Sequence, residues 1–174
     1  MAFLRGINVG GNHIIKMADL KRVLEENGLQ RVQTYIQSGN LLFDADGDAG
    51  SLETLIEQTL FQAYGFSVPT MIRTAEQMED IVRRCPFAFD ELGEKMSIHL
   101  SLLKSPPTRE EIAGIPDIDT GKDAYRIDGT EMFWFFSQSM LDSSLPKKLQ
   151  RIGPATMRNW KTVLKMDELA RGRK

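Results

Sequence analysis

The stretch that decides the fold is VQTYIQSGNLLFDA, residues 32–45. β-Branched and aromatic residues favour strands, so VQTYI and LLFDA are predicted to pair around QSGN, whose glycine suits a tight turn. Apolar residues recur at helical spacing on either side of this hairpin, over residues 17–27 and again after Ser51. Ser51 is the predicted cap of the second helix. A hairpin flanked by two helices is the centre of a split β-α-β arrangement.

Two further strands complete this arrangement. Residues 2–9, AFLRGINV, and residues 67–73 both carry strand-forming apolar residues. The order β-α-β-β-α-β is that of the ferredoxin-like unit. Thr74 with Gln77 then has the spacing of a capping box and predicts the start of a third helix.

The second half of the chain repeats most of this order. A strand is predicted over residues 96–103, and Thr108 with Glu111 predicts a capped helix. Asp128-Gly129 between two strand-like runs is a hairpin signal. A short helix over residues 146–151 and a longer one over 156–170 finish the chain. The second half therefore reads β-α-β-β-α, a ferredoxin-like unit without its last strand.

We predict an α+β fold with a ferredoxin-like N-terminal lobe, a second related α/β lobe and C-terminal helices. The 174 residues suit one domain. Within residues 1–174 we expect sub-lobes of about 1–86 and about 87–174, with residues 87–95 as the joint.

The net charge of −2 is unevenly distributed. Residues 1–40 carry +2, residues 41–145 carry −11 and residues 146–174 carry +7. A basic C-terminal end favours an anionic partner. The acidic middle argues against an extended surface for nucleic acid.

The predicted location is the cytoplasm. The single cysteine, Cys85, cannot form an internal disulfide, which suits a reducing compartment. No apolar run approaches the ~20 residues that span a bilayer, and no signal peptide is recognisable. We therefore expect no association with a membrane.

Several known motifs are not met. Gly6–Gly11 lacks the lysine and hydroxyl residue of a phosphate-binding loop. DADGDAG, residues 44–50, lacks the glycine and the final glutamate of a calcium loop. Two histidines and one cysteine far apart in sequence predict no metal site. Cys85 follows two arginines that could lower its pKa, but it also falls on the apolar stripe of a helix. The sequence identifies neither a catalytic residue nor a cofactor, and both stay unknown.

A candidate binding site begins in the first strand. Strand alternation would place Arg5 on one face with Phe3 and Ile7, and a charge there is costly unless it is paired or borders a wet cleft. Glycines allow close approach of the backbone, and arginine donates a planar fork suited to carboxylate or phosphate. We predict one cleft that the N-terminal glycine-rich loop, the QSGN turn and the last helix line together. Its ligand-binding residues are Arg5, Asn8, Gly10, Gly11, Gln37, Ser38, Asn40, Arg158, Asn159 and Thr162.

The C-terminal part of that cleft comes from the segment TMRNWKT, which predicts a helix. Helical spacing would place Arg158, Thr162 and Lys165 on one stripe and Met157 with Trp160 on the other. A structural interpretation stays open beside the functional one. Arg5 could pair with a buried carboxylate, the QSGN turn could be turn chemistry alone, and Arg158 could clamp a helix end.

The segments FLRGINVGG, TYIQSGN and T-x-R-N-W also carry a resemblance to a known family. The chain resembles a widespread bacterial family of conserved proteins grouped as a domain of unknown function. The resemblance spans nearly the whole chain and implies a two-lobed α+β fold of ferredoxin-like parts. It supplies no established activity and no catalytic residue. One departure is that family members usually carry a few more residues before the first strand.

Three functions follow as hypotheses. The first is binding of an anionic small molecule or a nucleotide in the predicted cleft. The second is binding of single-stranded nucleic acid, which would be strongly salt-dependent. The third is a protein-interaction or oligomerisation module, suggested by the aromatic run EMFWFF at residues 131–136. Neither an enzymatic activity nor an oligomeric state follows from the sequence.

Overall fold

The computed structural model describes residues 1–115 and 122–173. The chain forms two compact units. Unit 1 contains Met1–Glu79 together with Lys165–Lys174, and unit 2 contains Asp80–Leu164. Each unit is built around its own four-stranded antiparallel sheet.

Unit 1 has the predicted ferredoxin-like order. Its sheet runs β2-β3-β1-β4, with every neighbouring pair antiparallel. Its elements are β1 (Ala2–Leu4), α1 (Met17–Glu26), β2 (Gln30–Tyr35), β3 (Asn40–Asp44), α2 (Ala49–Tyr64) and β4 (Thr70–Ile72). α3 (Ala75–Arg83) follows β4 and continues into unit 2.

The core of unit 1 lies between one face of this sheet and the two helices α1 and α2. Helical spacing brings Leu20 and Leu24 of α1 and Ile56 and Leu60 of α2 onto inward faces, where all four are buried. They pack with alternate strand residues, among them Ala2, Leu4, Leu41 and Ile72. This packing fixes which face of β1 points toward the helices.

Two predicted boundaries in unit 1 are wrong. The first strand ends at Leu4 rather than at residue 9, because Gly6 adopts a φ of +74° that breaks the extended chain. Arg5 therefore lies outside the strand, and its side chain is exposed. α2 begins before the predicted cap Ser51. Asp48 caps it instead, accepting a hydrogen bond from the backbone nitrogen of Ser51 at 3.0 Å.

Unit 2 has a sheet of the same strand order, β6-β7-β5-β8. Its elements are β5 (Ser97–Leu103), α4 (Arg109–Ala113), β6 (Ala124–Asp128), β7 (Glu131–Phe136), α5 (Leu145–Lys148) and β8 (Ala155–Asn159), with a short 3₁₀ helix at Met140–Asp142. α6 (Trp160–Arg171) begins in unit 2 and ends in unit 1.

The prediction that the second half lacks its last strand is wrong. Ala155–Asn159 forms β8, which pairs antiparallel with β5 from Ala155↔Leu103 to Asn159↔His99. The helix predicted from residue 156 therefore starts only at Trp160. The apolar spacing of Met157 and Trp160 fits a helix, but pairing with β5 satisfies the backbone of this segment as a strand.

Three local predictions are confirmed. Thr74 and Gln77 exchange the two hydrogen bonds of a capping box at the start of α3, and Thr108 and Glu111 do so at α4. Gly129 has a φ of +62° in the hairpin between β6 and β7. Each of these signals depends only on neighbouring residues.

The aromatic run EMFWFF forms β7, an inner strand of the second sheet. Phe133 and Trp134 point to opposite faces and are both buried. Met132 and Phe136 are buried as well. These four side chains therefore provide no exposed apolar patch for a partner. Within the described ranges, no helix combines the length and the apolar character needed to cross a membrane.

Candidate functional site

The glycine-rich loop and the QSGN turn meet at one end of unit 1. We call this region, residues 5–15 and 36–40, the loop end. Asn8 joins its two parts: the side-chain amide donates to the carbonyl oxygens of Ile15 at 3.0 Å and Gln37 at 2.8 Å. Its amide oxygen accepts from the backbone nitrogen of Ile15 at 2.8 Å. The predicted proximity of loop and turn is thus present, and the Asn8 amide is used to create it.

The glycines form the tip of a small hairpin. The backbone nitrogen of Asn8 donates to the carbonyl of His13 at 3.1 Å, and that of Asn12 donates to the carbonyl of Val9 at 3.0 Å. Gly10 and Gly11 have φ of +56° and +77°, as both central residues of a type I′ turn require. The tip therefore exposes backbone that carries no side chain.

The QSGN turn is held against the first strand. Asn40 is fully buried, and its amide donates to the carbonyl of Tyr35 at 3.0 Å and to Ser38 Oγ at 2.9 Å. The carbonyl of Gly39 accepts from the backbone nitrogen of Leu4 at 2.8 Å. Gln37 and Ser38 are exposed. Asn40 therefore shapes the turn, while Gln37 and Ser38 face solvent.

The loop end concentrates unusual backbone conformations. Asn8, His13 and Ile36 have φ of +53°, +51° and +50°. Few non-glycine residues adopt positive φ, and a β-branched residue such as Ile36 does so at a cost. Such conformations persist where surrounding contacts hold them, and they cluster at binding sites.

Arg5 is the cation of the loop end. Its backbone nitrogen donates to the carbonyl of Pro69 at 2.9 Å, so the backbone is anchored at the end of the sheet. Its side chain is exposed, and within residues 1–115 and 122–173 no ion pair or hydrogen bond engages the guanidinium. The alternative interpretation was that Arg5 pairs with a buried carboxylate. No carboxylate pairs with Arg5 among those residues. The guanidinium donors are available to a ligand.

The three C-terminal site residues lie in unit 2. Arg158 is on β8, so the prediction that it shares a helix stripe with Thr162 and Lys165 is wrong. Its side chain is buried and donates to Thr156 Oγ1 at 2.6 Å and to the carbonyl of Met157 at 3.0 Å. Burial lowers the pKa of Arg158 to about 10. These contacts fit a role in holding β8.

The other two residues stand at the start of α6. Asn159 is exposed, and its side-chain oxygen accepts from the backbone nitrogen of Lys161 at 2.9 Å, which caps the helix. Thr162 is half-buried in the first turn. The hypothesis that Arg158, Asn159 and Thr162 share one cleft with the loop end stays a prediction.

The thiol of Cys85 has the features of a structural cysteine. Burial raises its pKa, and Sγ donates to the carbonyl of Phe87 at 3.5 Å. Arg84 points its guanidinium at Asp80 and other carboxylates. Across the described ranges, no three histidine, cysteine or acidic side chains come together in a way that could hold a metal ion.

Sequence reasoning missed a pocket of about 330 Å³ at the opposite end of β1. It lies beside Met1, between the end of β3 and the end of β4, and we call it the Met1 pocket. Its main apolar lining is Leu42, Phe43, Leu52, Ile72 and Ala170, and its charged lining is Asp44, Arg73 and Arg173. One feature of the sequence could have indicated this pocket: Arg73 stands between a predicted strand and the capping box that begins at Thr74.

The charged side chains that line the Met1 pocket are engaged with neighbouring groups. Arg73 is buried and donates to the carbonyl of Ile72 at 2.7 Å. Arg173 donates to the carbonyl of Arg31 at 2.7 Å and to Asp44 at 3.2 Å. Asp44 also accepts from Arg31 at 2.9 Å. Its one carboxylate is thus already shared by two arginines.

Comparisons with known proteins give a family and a fold. The profile of a family described as "Protein of unknown function (DUF1697)" matches residues 1–133. Among solved structures, the conserved bacterial protein SP0830 from Streptococcus pneumoniae is similar, with a TM-score of 0.78 and 23% sequence identity. The alignment covers 98% of this chain and 96% of that one. At 23% identity this similarity shows a shared fold alone. No curated protein matches the chain.

Proposed function

The chain belongs to the DUF1697 family, whose description assigns no activity, and we propose from the geometry that it binds a small anionic molecule at the loop end of unit 1. The observation that carries this proposal is the exposed Arg5 guanidinium without an ion pair among the described residues. A planar fork of donors suits a carboxylate or a phosphate, including the phosphate of a nucleotide.

The rest of the loop end supplies neutral groups. Gln37 and Ser38 are exposed polar side chains of the turn, and Gly10 and Gly11 present backbone at the tip of the hairpin. Asn8 connects turn and hairpin, so little further ordering is needed on binding. Preorganisation of this kind reduces the entropy lost on association.

A thermal-shift screen at low salt tests the proposal. The panel contains inorganic phosphate, nucleotides, sugar phosphates and small carboxylates, each measured with wild type, Arg5→Ala and Arg5→Lys. A ligand at 100 times its Kd stabilises by about 2.7 kcal/mol, which raises Tm by a few degrees. We expect that shift to vanish in Arg5→Ala and to shrink in Arg5→Lys, which keeps the charge but loses the fork.

Arg109→Ala is the matched control, since Arg109 is an exposed arginine of unit 2. An anion that stabilises wild type and Arg5→Ala equally would contradict the proposal. Short single-stranded RNA belongs in the same panel. If RNA alone stabilises the protein, with an effect that falls steeply with salt, the nucleic-acid function replaces the small-molecule one.

A further inference from the structure

We propose that the loop end binds a nucleoside phosphate, with the base stacked on the imidazole ring of His13 and the phosphate held by Arg5. This inference rests on the anion site proposed above and names the class of molecule that the site takes. It follows from a preformed stack of two rings, from the contacts that place this stack beside Arg5 and from the exposed apolar side chains of the loop end.

The ring of His13 is a flat platform with one face already covered. It lies nearly parallel to the ring of Phe66, with the ring centroids 4.2 Å apart and an angle of 11° between the ring planes. Phe66 is half-buried and packs against the core of unit 1, whereas His13 is exposed. Since Phe66 covers one face of the imidazole, the exposed surface of His13 lies on the other side. Histidine is one of the side chains on which nucleobases stack.

The platform is held in place before any ligand binds. His13 Nδ1 lies 3.3 Å from the carbonyl oxygen of Gly6, and the tautomer that carries a proton on Nδ1 donates a hydrogen bond to it. The backbone of His13 is paired with Asn8, whose nitrogen donates to the His13 carbonyl at 3.1 Å. A ring whose orientation is already fixed loses little conformational entropy when a base stacks on it.

A short segment between α2 and β4 places Arg5 beside this platform. Phe66 supplies the ring under His13, and the carbonyl oxygen of Pro69 accepts a hydrogen bond from the backbone nitrogen of Arg5 at 2.9 Å. Gly6, which contacts Nδ1 of His13, follows Arg5 directly in the chain. The long side chain of Arg5 can therefore carry its guanidinium to a phosphate that one ribose separates from the stacked base. The planar fork of donors on arginine suits that phosphate.

The loop end also offers apolar surface. Val9, Ile14 and Ile36 are exposed there, and exposed apolar residues that lie together mark binding sites more often than single ones do. Residues 5–15 and 36–40 contain no Asp or Glu, so no carboxylate of these loops repels an anion. A nucleotide uses both features, because its base supplies a flat apolar surface and its phosphate supplies the charge. Inorganic phosphate and sugar phosphates use only the second.

Isothermal titration at low salt compares AMP with ribose 5-phosphate, which lacks the base, and with adenosine, which lacks the phosphate. AMP should bind wild type roughly tenfold more tightly than ribose 5-phosphate, because one stacked base contributes about that factor. His13→Asn should remove this advantage, since Asn has no aromatic ring but tolerates the φ of +51° at this position. His13→Phe keeps a ring without the imidazole nitrogens and should retain the advantage. If His13→Asn keeps it, or His13→Phe loses it while remaining folded, the stacked base is overturned.

Phe61→Ala is the matched control, since Phe61 is an exposed ring of unit 1 outside the loop end. It should bind all three ligands as wild type does, and a loss equal to that of His13→Asn would overturn the assignment to His13. NMR of the wild-type complex gives a readout that needs no variant. Stacking should move the base protons of AMP and the ring protons of His13 upfield and produce NOEs between them. Absence of both effects at saturation overturns the proposal.

The three ligands also separate this inference from the anion site on which it rests. If AMP and ribose 5-phosphate bind equally and Arg5→Ala abolishes both, the anion site stands and the stacked base is overturned. If adenosine binds as tightly as AMP and Arg5→Ala changes neither, the anion site fails and the nucleotide assignment fails with it. If AMP does not bind at all, the nucleotide is overturned, and the other anions of the thermal-shift panel decide the anion site.

A short oligoadenylate carries the same base and phosphate as AMP and distinguishes nucleic acid from a free nucleotide. We expect it to bind no more tightly per nucleotide than AMP, because the loop end offers one platform and one arginine. Much tighter binding per nucleotide, with a steep dependence on salt, would assign the site to single-stranded nucleic acid and overturn the free nucleotide.

Discussion

Gly39 packs directly against Leu4, and this contact fixes the QSGN turn on the first strand. A β-carbon on Gly39 would lie 2.7 Å from Leu4 Cβ and 3.0 Å from Ile7 Cδ1. The φ of Gly39 is +83°, which already disfavours a side chain. Glycine is therefore required here for two separate reasons.

Gly39→Ala should lower the free energy of unfolding by about 2–4 kcal/mol, because overpacking adds to the cost of positive φ. Gly65→Ala is the control: its φ is +77°, but nothing lies within 4 Å of the added carbon. That variant should lose only about 1–2 kcal/mol. Urea unfolding of both variants measures the difference. Equal losses would show that the Leu4 contact relaxes at no cost.

Asn8→Ala should lower the free energy of unfolding by about 2–3 kcal/mol. The substitution removes the two hydrogen bonds between the Asn8 side chain and Ile15 and the one between this side chain and Gln37. Asn12→Ala is the matched change in the same hairpin, where the side chain makes one contact of 3.5 Å. Its effect should stay within about 0.5 kcal/mol. Chemical denaturation measures both, and hydrogen exchange at residues 5–15 locates the loss. If Asn8→Ala had the same free energy of unfolding as wild type, Asn8 would not hold the hairpin and the turn together.

Arg84 ties α3 to the β6–β7 hairpin of unit 2 by pairing with Asp80, Asp128 and Glu131. Arg84→Lys keeps the charge but replaces the planar fork of five donors with one compact ammonium, which cannot hold the three carboxylates in the same geometry. A loss of about 1–2 kcal/mol is therefore expected. Arg83→Lys is the control, since Arg83 is exposed and pairs with Asp80 alone. Exposed pairs contribute little, so this change should be close to neutral. Thermal unfolding measures the stability of the two variants. If Arg83→Lys lost as much stability as Arg84→Lys, Arg84 would not be the residue that ties α3 to the hairpin.

Stability should fall as pH falls below about 6.5, and His99 should account for part of the fall. Its side chain is buried on β5 beside Ser97 Oγ, and burial lowers its pKa. The unfolded chain then binds the proton first, with a pKa near 6.5, so the folded state loses stability until His99 itself is protonated. Below that pKa the loss levels off.

His99→Gln removes this titration, so its free energy of unfolding should vary less between pH 7 and pH 5 than that of wild type. Urea unfolding at pH 7.0, 6.0 and 5.0 gives both curves. The difference between them isolates His99 from other groups that titrate in the same window. Parallel curves would show that His99 does not contribute.

The sequence by itself determined the order of the first unit. Helical spacing in α1 and α2, the turn between β2 and β3 and the capping boxes at Thr74 and Thr108 all act between residues close in the chain. Such signals need no distant partner. They were enough to predict the ferredoxin-like arrangement and to place the glycine loop near the QSGN turn.

Only the tertiary structure decided β8, the end of β1 and the Met1 pocket. Met157 and Trp160 have the apolar spacing of a helix, but pairing with His99–Leu103, more than 50 residues earlier, makes residues 155–159 a strand. Arg158 became a buried residue of that strand for the same reason. The Met1 pocket is lined by segments that lie far apart in the chain, among them Phe43, Arg73 and Arg173. Strand pairing in a sheet depends on hydrogen bonds between remote residues, which local patterns do not encode.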